Sequence, residues 1–263
     1  MIHPTAVIHP KAKIESSVSI GPYAVIDEAV TMGAESVVCP HVHITGQTII
    51  GAHNHFHAGC VIGDSPQDLK YSGAPTRLLI GNNNIFREHV TVHRSNSSQE
   101  DTVIGSHNLF MAASHVGHNA VVGDYVVLVN GALLGGHVSV ADRALISGHA
   151  MVHQFCRIGT LALMQGCTVM TKDLPPFCVA NGLNTLCGLN IVGLRRAGFT
   201  PEQRLQLKRL YHALFRSGTL LSQAVEAAAC EFTDAASRQM LDFIKSSKRG
   251  VCSSDGAETA NED

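Results

Sequence analysis

Residues 104–170 read IGSHNLFMAASHVGHNAVVGDYVVLVNGALLGGHVSVADRALISGHAMVHQFCRIGTLALMQGCTVM. An apolar residue returns at every sixth position: Ile104, Phe110, Val116, Val122, Leu128, Leu134, Val140, Ile146, Val152, Ile158, Met164 and Met170. A period of six is neither the 3.6 of an α-helix nor the alternation of a single strand, and it marks a parallel β-helix. The same register runs from Ile2 through Ile8, Ile14, Ile20, Ile26, Met32, Val38, Ile44, Ile50, Phe56 and Ile62, with a shorter piece at Ile80, Phe86 and Val92. In a chain that is 45% hydrophobic, apolar residues at all 26 positions would arise by chance about once in 10⁹ trials. The repeat therefore decides the fold.

Around each apolar position the spacing has further content. Four residues later comes a small side chain, as at Ala24, Ala120, Ala132, Ala144 and Ala150, which fits short strands meeting around a thin core. Gly follows the apolar residue at 33, 51, 81, 105 and 123, among others, and is expected to supply sharp bends. Two stretches, 64–79 and 93–103, break the register with turn residues such as Ser65-Pro66 and Ser95-Asn96-Ser97-Ser98. They are expected to leave the prism as loops, which in repeat proteins cluster on the binding face.

The hexads span 1–190 and give way to a basic helical region over 191–250. Thr200 reads as an N-cap with Pro201 at N1, Leu205, Leu207, Leu210 and Leu214 as the apolar face, and Gly218 as the stop. Further helices are expected over 220–231 and 234–247, and 251–263 as a frayed tail. Residues 191–250 hold ten Lys/Arg against five Asp/Glu, while 1–190 hold nine against twelve. That excess suggests an acidic partner, with Arg204, Lys208, Arg209 and Arg216 as contacts; solvated helix faces are the alternative.

A net charge of −2 argues against a nucleic-acid partner. Eight cysteines without a CxxC pair, no charged-then-apolar leader and no long uncharged apolar run indicate a reduced cytoplasmic protein with no membrane span.

Four histidines, His115, His118, His137 and His153, fall within the long hexad stretch. If eighteen residues make one coil, His118, His137 and Gln154 lie on adjacent coils near one face. Such a cluster has three readings. A neutral imidazole can act as a general base; three imidazoles can hold zinc for a hydratase; or the face can merely bind a sugar nucleotide.

Several motifs add a family resemblance. Gln67-Asp68-Leu69-Lys70-Tyr71, Pro75-Thr76-Arg77, Arg87-Glu88, Thr91-Val92-His93-Arg94, His115-Val116-Gly117-His118, Gly136-His137-Val138, Val152-His153-Gln154-Phe155, Gly188-Leu189-Asn190 and Gly193-Leu194-Arg195-Arg196 together resemble the UDP-N-acetylglucosamine 3-O-acyltransferases of lipid A synthesis. The resemblance covers nearly the whole chain. It implies an all-β left-handed parallel β-helix with a C-terminal α-helical domain, assembled as a homotrimer. It also implies transfer of a 3-hydroxyacyl group from acyl carrier protein to the 3-hydroxyl of UDP-N-acetylglucosamine, with no metal or cofactor beyond the carrier's phosphopantetheine. His118 would be the general base and the Gly136 N–H the oxyanion donor. Asp68, Lys70, His115, His137, His153, Gln154, Asn190 and Arg196 would bind substrate, and Gly166 would limit acyl length. Three positions depart from the family pattern. Asn119 stands where an Asp is expected, and Val192 and Ala197 replace a Glu and a second Arg near the nucleotide. A 3-amino sugar acceptor is the nearest alternative.

Overall fold

A computed structural model describes residues 1–254. Successive two-residue strands, Leu109–Phe110, His115–Val116 and Val121–Val122, belong to three different sheets. Every third strand returns to its own sheet in parallel register, as in Leu109↔Val127, His115↔Leu133 and Val121↔Ser139. Eighteen residues thus make one coil, and the sheets stack ten, nine and eight strands. The chain is a left-handed parallel β-helix. The general preference for right-handed crossovers rests on twisted strands joined by helices, and here tight corners join strands of two residues.

Those corners explain the period. From Ile104 to Met164, the third residue after an apolar position adopts a left-handed backbone, with φ of 57° at Tyr125, 58° at His137, 59° at Arg143 and 54° at His149. Such a conformation costs an L-residue roughly 1–2 kcal/mol, which the buried inward residues must offset. The bends therefore fall on side-chain-bearing residues and not, as expected, on the glycines that follow the apolar positions. Those glycines answer to close approach: a Cβ on Gly51 would lie 2.7 Å from the Gly81 carbonyl oxygen on the next coil, and one on Gly81 2.7 Å from that of Gly105.

Inside, Phe56, Phe86 and Phe110 stack with centroids 4.8 Å apart, the spacing of neighbouring strands. The inward corner position carries Asn at 54, 84 and 108, all buried. Asn84 Nδ2 donates to Asn54 Oδ1 at 3.0 Å, and the Asn108 N–H donates to Asn84 Oδ1 at 2.9 Å. Most of this polar ladder is satisfied from within, the Asn108 Nδ2 at its end being left without a partner.

Both interruptions leave the coil as loops, 65–76 between strands Val61–Asp64 and Arg77–Ile80, and 94–101 between Thr91–His93 and Thr102–Ile104. They brace each other: Arg94 Nη2 donates to Tyr71 Oη at 3.2 Å and Asn96 Nδ2 to Asp68 Oδ2 at 2.7 Å.

Four helices follow: α1 (Ile191–Arg196), α2 (Pro201–Phe215), α3 (Leu221–Glu231) and α4 (Ala235–Lys245). Helix α2 has the anticipated Thr200 cap, completed by Gln203 as a capping box. Leu205 departs from the expected apolar face, being 51% exposed, while Leu207, Leu210 and Leu214 are buried. Helix α1 escaped the sequence reading, since six residues carry too little periodicity. Arg157 seats α4 on the coils: Nε donates to the buried Asp173 carboxylate at 2.8 Å, Nη2 to the Phe243 carbonyl at 2.8 Å, and the guanidinium lies over the Phe243 ring. Residues 251–254 do not behave as the expected tail. Val251 and Ser253 bridge to Asp173 and Thr185, and Cys252 is fully buried. The remainder of that expectation, 255–263, lies outside the described residues.

Candidate active site

The nine-stranded sheet places His115 on strand His115–Val116, and the corner after it carries His118. On the next two coils, the equivalent corners carry Gly136 and Gln154. Together with Gln67, His93, Gly117, Gly135, Val152 and His153 they line a cleft of 360 Å³ beneath the two loops.

At its centre His118 Nδ1 lies 2.8 Å from Asn119 Oδ1. The orientation of the Asn119 amide follows from its partners. Its oxygen accepts the Asn96 backbone N–H at 3.0 Å, and its nitrogen donates to Ser95 Oγ at 2.7 Å and toward the Glu100 carboxylate at 3.4 Å. An amide oxygen cannot donate, so His118 Nδ1 must carry the hydrogen, and the neutral ring presents its lone pair at Nε2. Asn119 is itself buried and pinned, its N–H donating to Thr102 Oγ1 at 2.7 Å. Asn119, standing where the resemblance implies an Asp, thus fixes the tautomer without adding a charge.

Burial favours the neutral form of His115, His93 and His137. Desolvation first, then His93 and His118, brings His115 down to about 4, while its Nδ1 meets Thr91 Oγ1 at 2.7 Å. His93 and His137 are lowered mainly by desolvation too. His93 is buried edge-on to His115 at 4.9 Å, and its Nδ1 has no partner. His137 occupies a left-handed corner, edge-on to His118 at 5.2 Å and stacked on Phe155 at 4.6 Å. His153 Nδ1 donates to the Gln154 carbonyl at 3.1 Å.

Gly136 sits against the reactive edge of the base. A Cβ there would fall 2.7 Å from His118 Nε2, so only glycine leaves room for both ring and substrate. Its N–H has no partner among the described residues. An unpaired backbone donor beside an unprotonated imidazole nitrogen is suited to acyl transfer, where one atom must lose a proton while another gains negative charge.

Of the other expected residues, Asp68 stands on the first loop. The Lys70 backbone N–H and then the Asn96 amide hold its carboxyl below the usual range. Lys70 is exposed beside it. Asn190 caps α1: its Oδ1 accepts from the Gly193 N–H and its Nδ2 donates to the Leu161 carbonyl, both at 2.9 Å. Neither Asn190 nor Arg196 lines this chain's cleft. Gly166 lies one coil beyond the one that carries Gln154, exposed. On α2, Lys208 and Arg209 line a shallow groove with Leu205, His212 and Phe232, whereas Arg204 turns back to the Phe199 carbonyl at 2.6 Å. Arg216 caps the C-terminal end of α2. Gln67, His93 and Asn96 were not singled out from sequence as site residues, because they belong to loops or strand ends whose placement the hexad register does not fix.

Residues 173–252 match the family profile described as "Udp N-acetylglucosamine O-acyltransferase; Domain 2". The chain is 43% identical over 258 residues to the acyl-[acyl-carrier-protein]–UDP-N-acetylglucosamine O-acyltransferase of Janthinobacterium sp. (strain Marseille), covering 95% of this chain and 98% of the relative. It is 44% identical over 253 residues to the like-named protein of Halorhodospira halophila, with the same coverage of both chains. Among solved structures it is similar to the UDP-N-acetylglucosamine acyltransferase of Bacteroides fragilis, with TM-score 0.92 at 36% identity over 95% of this chain and 99% of that one. The enzyme of Francisella novicida gives 0.90 at 35% over the whole of both chains.

Proposed function

The chain belongs to the UDP-N-acetylglucosamine O-acyltransferase family, and on that footing we propose that it moves a 3-hydroxyacyl group from acyl carrier protein to the 3-hydroxyl of UDP-N-acetylglucosamine. The observation that carries this reading is the paired geometry of His118 Nε2 and Gly136. His118 Nε2 takes the proton of the sugar 3-hydroxyl as its oxygen bonds to the thioester carbonyl carbon. The Gly136 N–H donates to the oxyanion that forms. Collapse breaks the carbon–sulfur bond, and the imidazolium returns the proton to the departing phosphopantetheine thiolate. Atoms and charge balance without a metal, a cofactor or an acyl-enzyme.

Asp68 accepts sugar hydroxyls, Lys70 meets the diphosphate, and His137, His153 and Gln154 hold groups around the thioester. Asn190 and Arg196 reach the nucleotide of a neighbouring subunit's site in a homotrimer, which accounts for their distance from their own cleft. With Val192 and Ala197 beside them, fewer polar groups hold the nucleotide than in the family pattern. No helix among the described residues is long and apolar enough to cross a membrane, and we infer from the water-soluble substrates that the protein works in the cytoplasm.

Two measurements test the reading. Purified protein given a panel of carrier-bound hydroxyacyl thioesters, with either UDP-N-acetylglucosamine or its 3-amino analogue, is expected to yield the mass of the O-acyl sugar nucleotide. Product from the amino sugar alone would reassign the acceptor; no product from any pair would remove the enzymatic reading. Reversing Lys208 and Arg209 to Glu is expected to raise the apparent KM for the carrier-bound donor several-fold and to leave the sugar KM unchanged. The carrier is acidic, and long-range attraction to it falls with salt. A donor KM that stays constant, with the salt dependence of the unaltered protein, would reduce the basic groove to a solvated face.

A further inference from the structure

Away from the cleft, on the ten-stranded sheet, strands Val37–Val38 and His55–Phe56 pair in register, Val37 against His55. Cys39 and His57 come one step later on the same two coils, with the Cys39 N–H donating to the Phe56 carbonyl at 2.9 Å. This register gathers three metal-ligating side chains. Cys39 Sγ lies 3.3 Å from His55 Nε2, the His55 and His57 rings stack at 4.2 Å, and one donor atom from each of Cys39, His55 and His57 falls within 4.8 Å of the other two. On a tetrahedral zinc, with bonds of about 2.3 Å to sulfur and about 2.0–2.1 Å to nitrogen, neighbouring S and N ligands stand roughly 3.5 Å apart. The unliganded Cys39–His55 spacing is already near that value. All three side chains are only partly buried, so an ion has a way in.

Glu88, one coil further on, completes the arrangement. Its carboxylate oxygen lies 3.5 Å from His57 Nδ1, and Arg87 holds the same carboxylate at 2.9 Å. A carboxylate behind a ligating imidazole orients the ring and leaves its other nitrogen for the ion.

We propose that Cys39, His55 and His57, backed by Glu88, form a binding site for one Zn²⁺ ion per chain that clips two adjacent coils together. A thiolate with two imidazoles favours zinc over magnesium or calcium, and the fourth position is open to water. The site is independent of acyl transfer: it lies on a different sheet from His118 and several coils nearer the N-terminus. On binding, the Cys39 thiol loses its proton to solvent and sulfur becomes a metal ligand, with no change of oxidation state.

The test uses the full chain, stripped with a chelator, dialysed and titrated with Zn²⁺ against a chromophoric competitor. The expected result is one equivalent bound with micromolar or tighter affinity, and a melting temperature that rises with free Zn²⁺. Co²⁺ in place of Zn²⁺ should give the charge-transfer absorption of a cobalt–thiolate bond. Binding and absorption should disappear in Cys39→Ser and in His57→Ala, each checked for a native circular dichroism spectrum, and persist in His118→Ala. Acyl transfer by Cys39→Ser should stay within about twofold of the unaltered chain. Failure to bind an equivalent of zinc, or binding that survives Cys39→Ser yet is lost in His118→Ala, would overturn the assignment.

Discussion

The His118→Ala protein is expected to lose turnover by about 10²–10⁴-fold, the usual cost of removing a general base, while binding the sugar nucleotide with little change and melting near the temperature of the unaltered chain. The structural half of this expectation rests on Asn119. Removing the imidazole takes away one donor to Asn119 Oδ1, but that oxygen still accepts the Asn96 N–H, and the amide nitrogen keeps Ser95. No buried polar group is left unsatisfied, so the change need not disturb the fold. Turnover and nucleotide affinity should therefore separate. Steady-state kinetics and calorimetric titration of the sugar nucleotide measure the two sides. Full activity in His118→Ala would sink the mechanism, and equal loss of binding and turnover would make His118 a binding residue only.

The neutral character of Asn119 has a kinetic meaning. A carboxylate at this position would both orient the imidazole and stabilise the imidazolium formed during transfer. Asn119 supplies orientation alone. Glu100 is the nearest substitute for the missing charge, within 3.4 Å of the Asn119 amide and 3.6 Å of His137 Nδ1, but it is largely exposed, so water screens much of its field.

Which features were legible in the sequence follows from their range. The hexads of Ile104 to Met170 are written in local spacing, so coils, inward faces and the cluster of His115, His118, His137, His153 and Gln154 could be read directly, whereas Gly136 came only from the family resemblance. The left-handed corners could not. They fall on residues as different as Tyr125, His137 and Arg143, because the coil imposes the conformation against their intrinsic preference. Loop residues were hidden for another reason. Gln67 reaches the cleft only once 65–76 folds over the coils, a placement set by long-range contacts such as Arg94 to Tyr71. His55 and His57 stand two residues apart in sequence, but Cys39 joins them only across adjacent coils, sixteen residues before His55, so the three-residue cluster has no local signature. The end of the chain misled in the opposite sense: polar Ser253 and Ser254 look frayed, yet the backbone around Cys252 is bridged to the final coils.

Gly166→Met is expected to convert a preference for long hydroxyacyl donors into one for short donors, with turnover on the short donor retained. The path for the acyl chain is visible on the nine-stranded sheet. His115 pairs in register with Leu133, Leu133 with Met151, and Met151 with Val169. Leu133 and Met151 are 40% and 43% exposed, an apolar stripe leading away from the histidines along the coils. Gly166 lies at the corner just before the Val169–Met170 strand. The alternative, a glycine kept for backbone geometry, fits poorly, since Gly166 is absent from the left-handed positions and a Cβ on it would meet only the Gly148 carbonyl oxygen at an ordinary 3.6 Å. A methionine can therefore be built without moving the coil, and its side chain would occupy space beside the end of the stripe. Each methylene denied burial costs about 0.8 kcal/mol, so blocking two to four of them should cost the long donor roughly 10- to 200-fold in kcat/KM and the short donor little. Competition between carrier-bound donors of graded length, read by product mass, measures the shift. Equal loss at every length, or an unaltered chain that already favours the shortest donor, would clear Gly166 of the role and turn attention to the long polar side chain of Gln165 beside it.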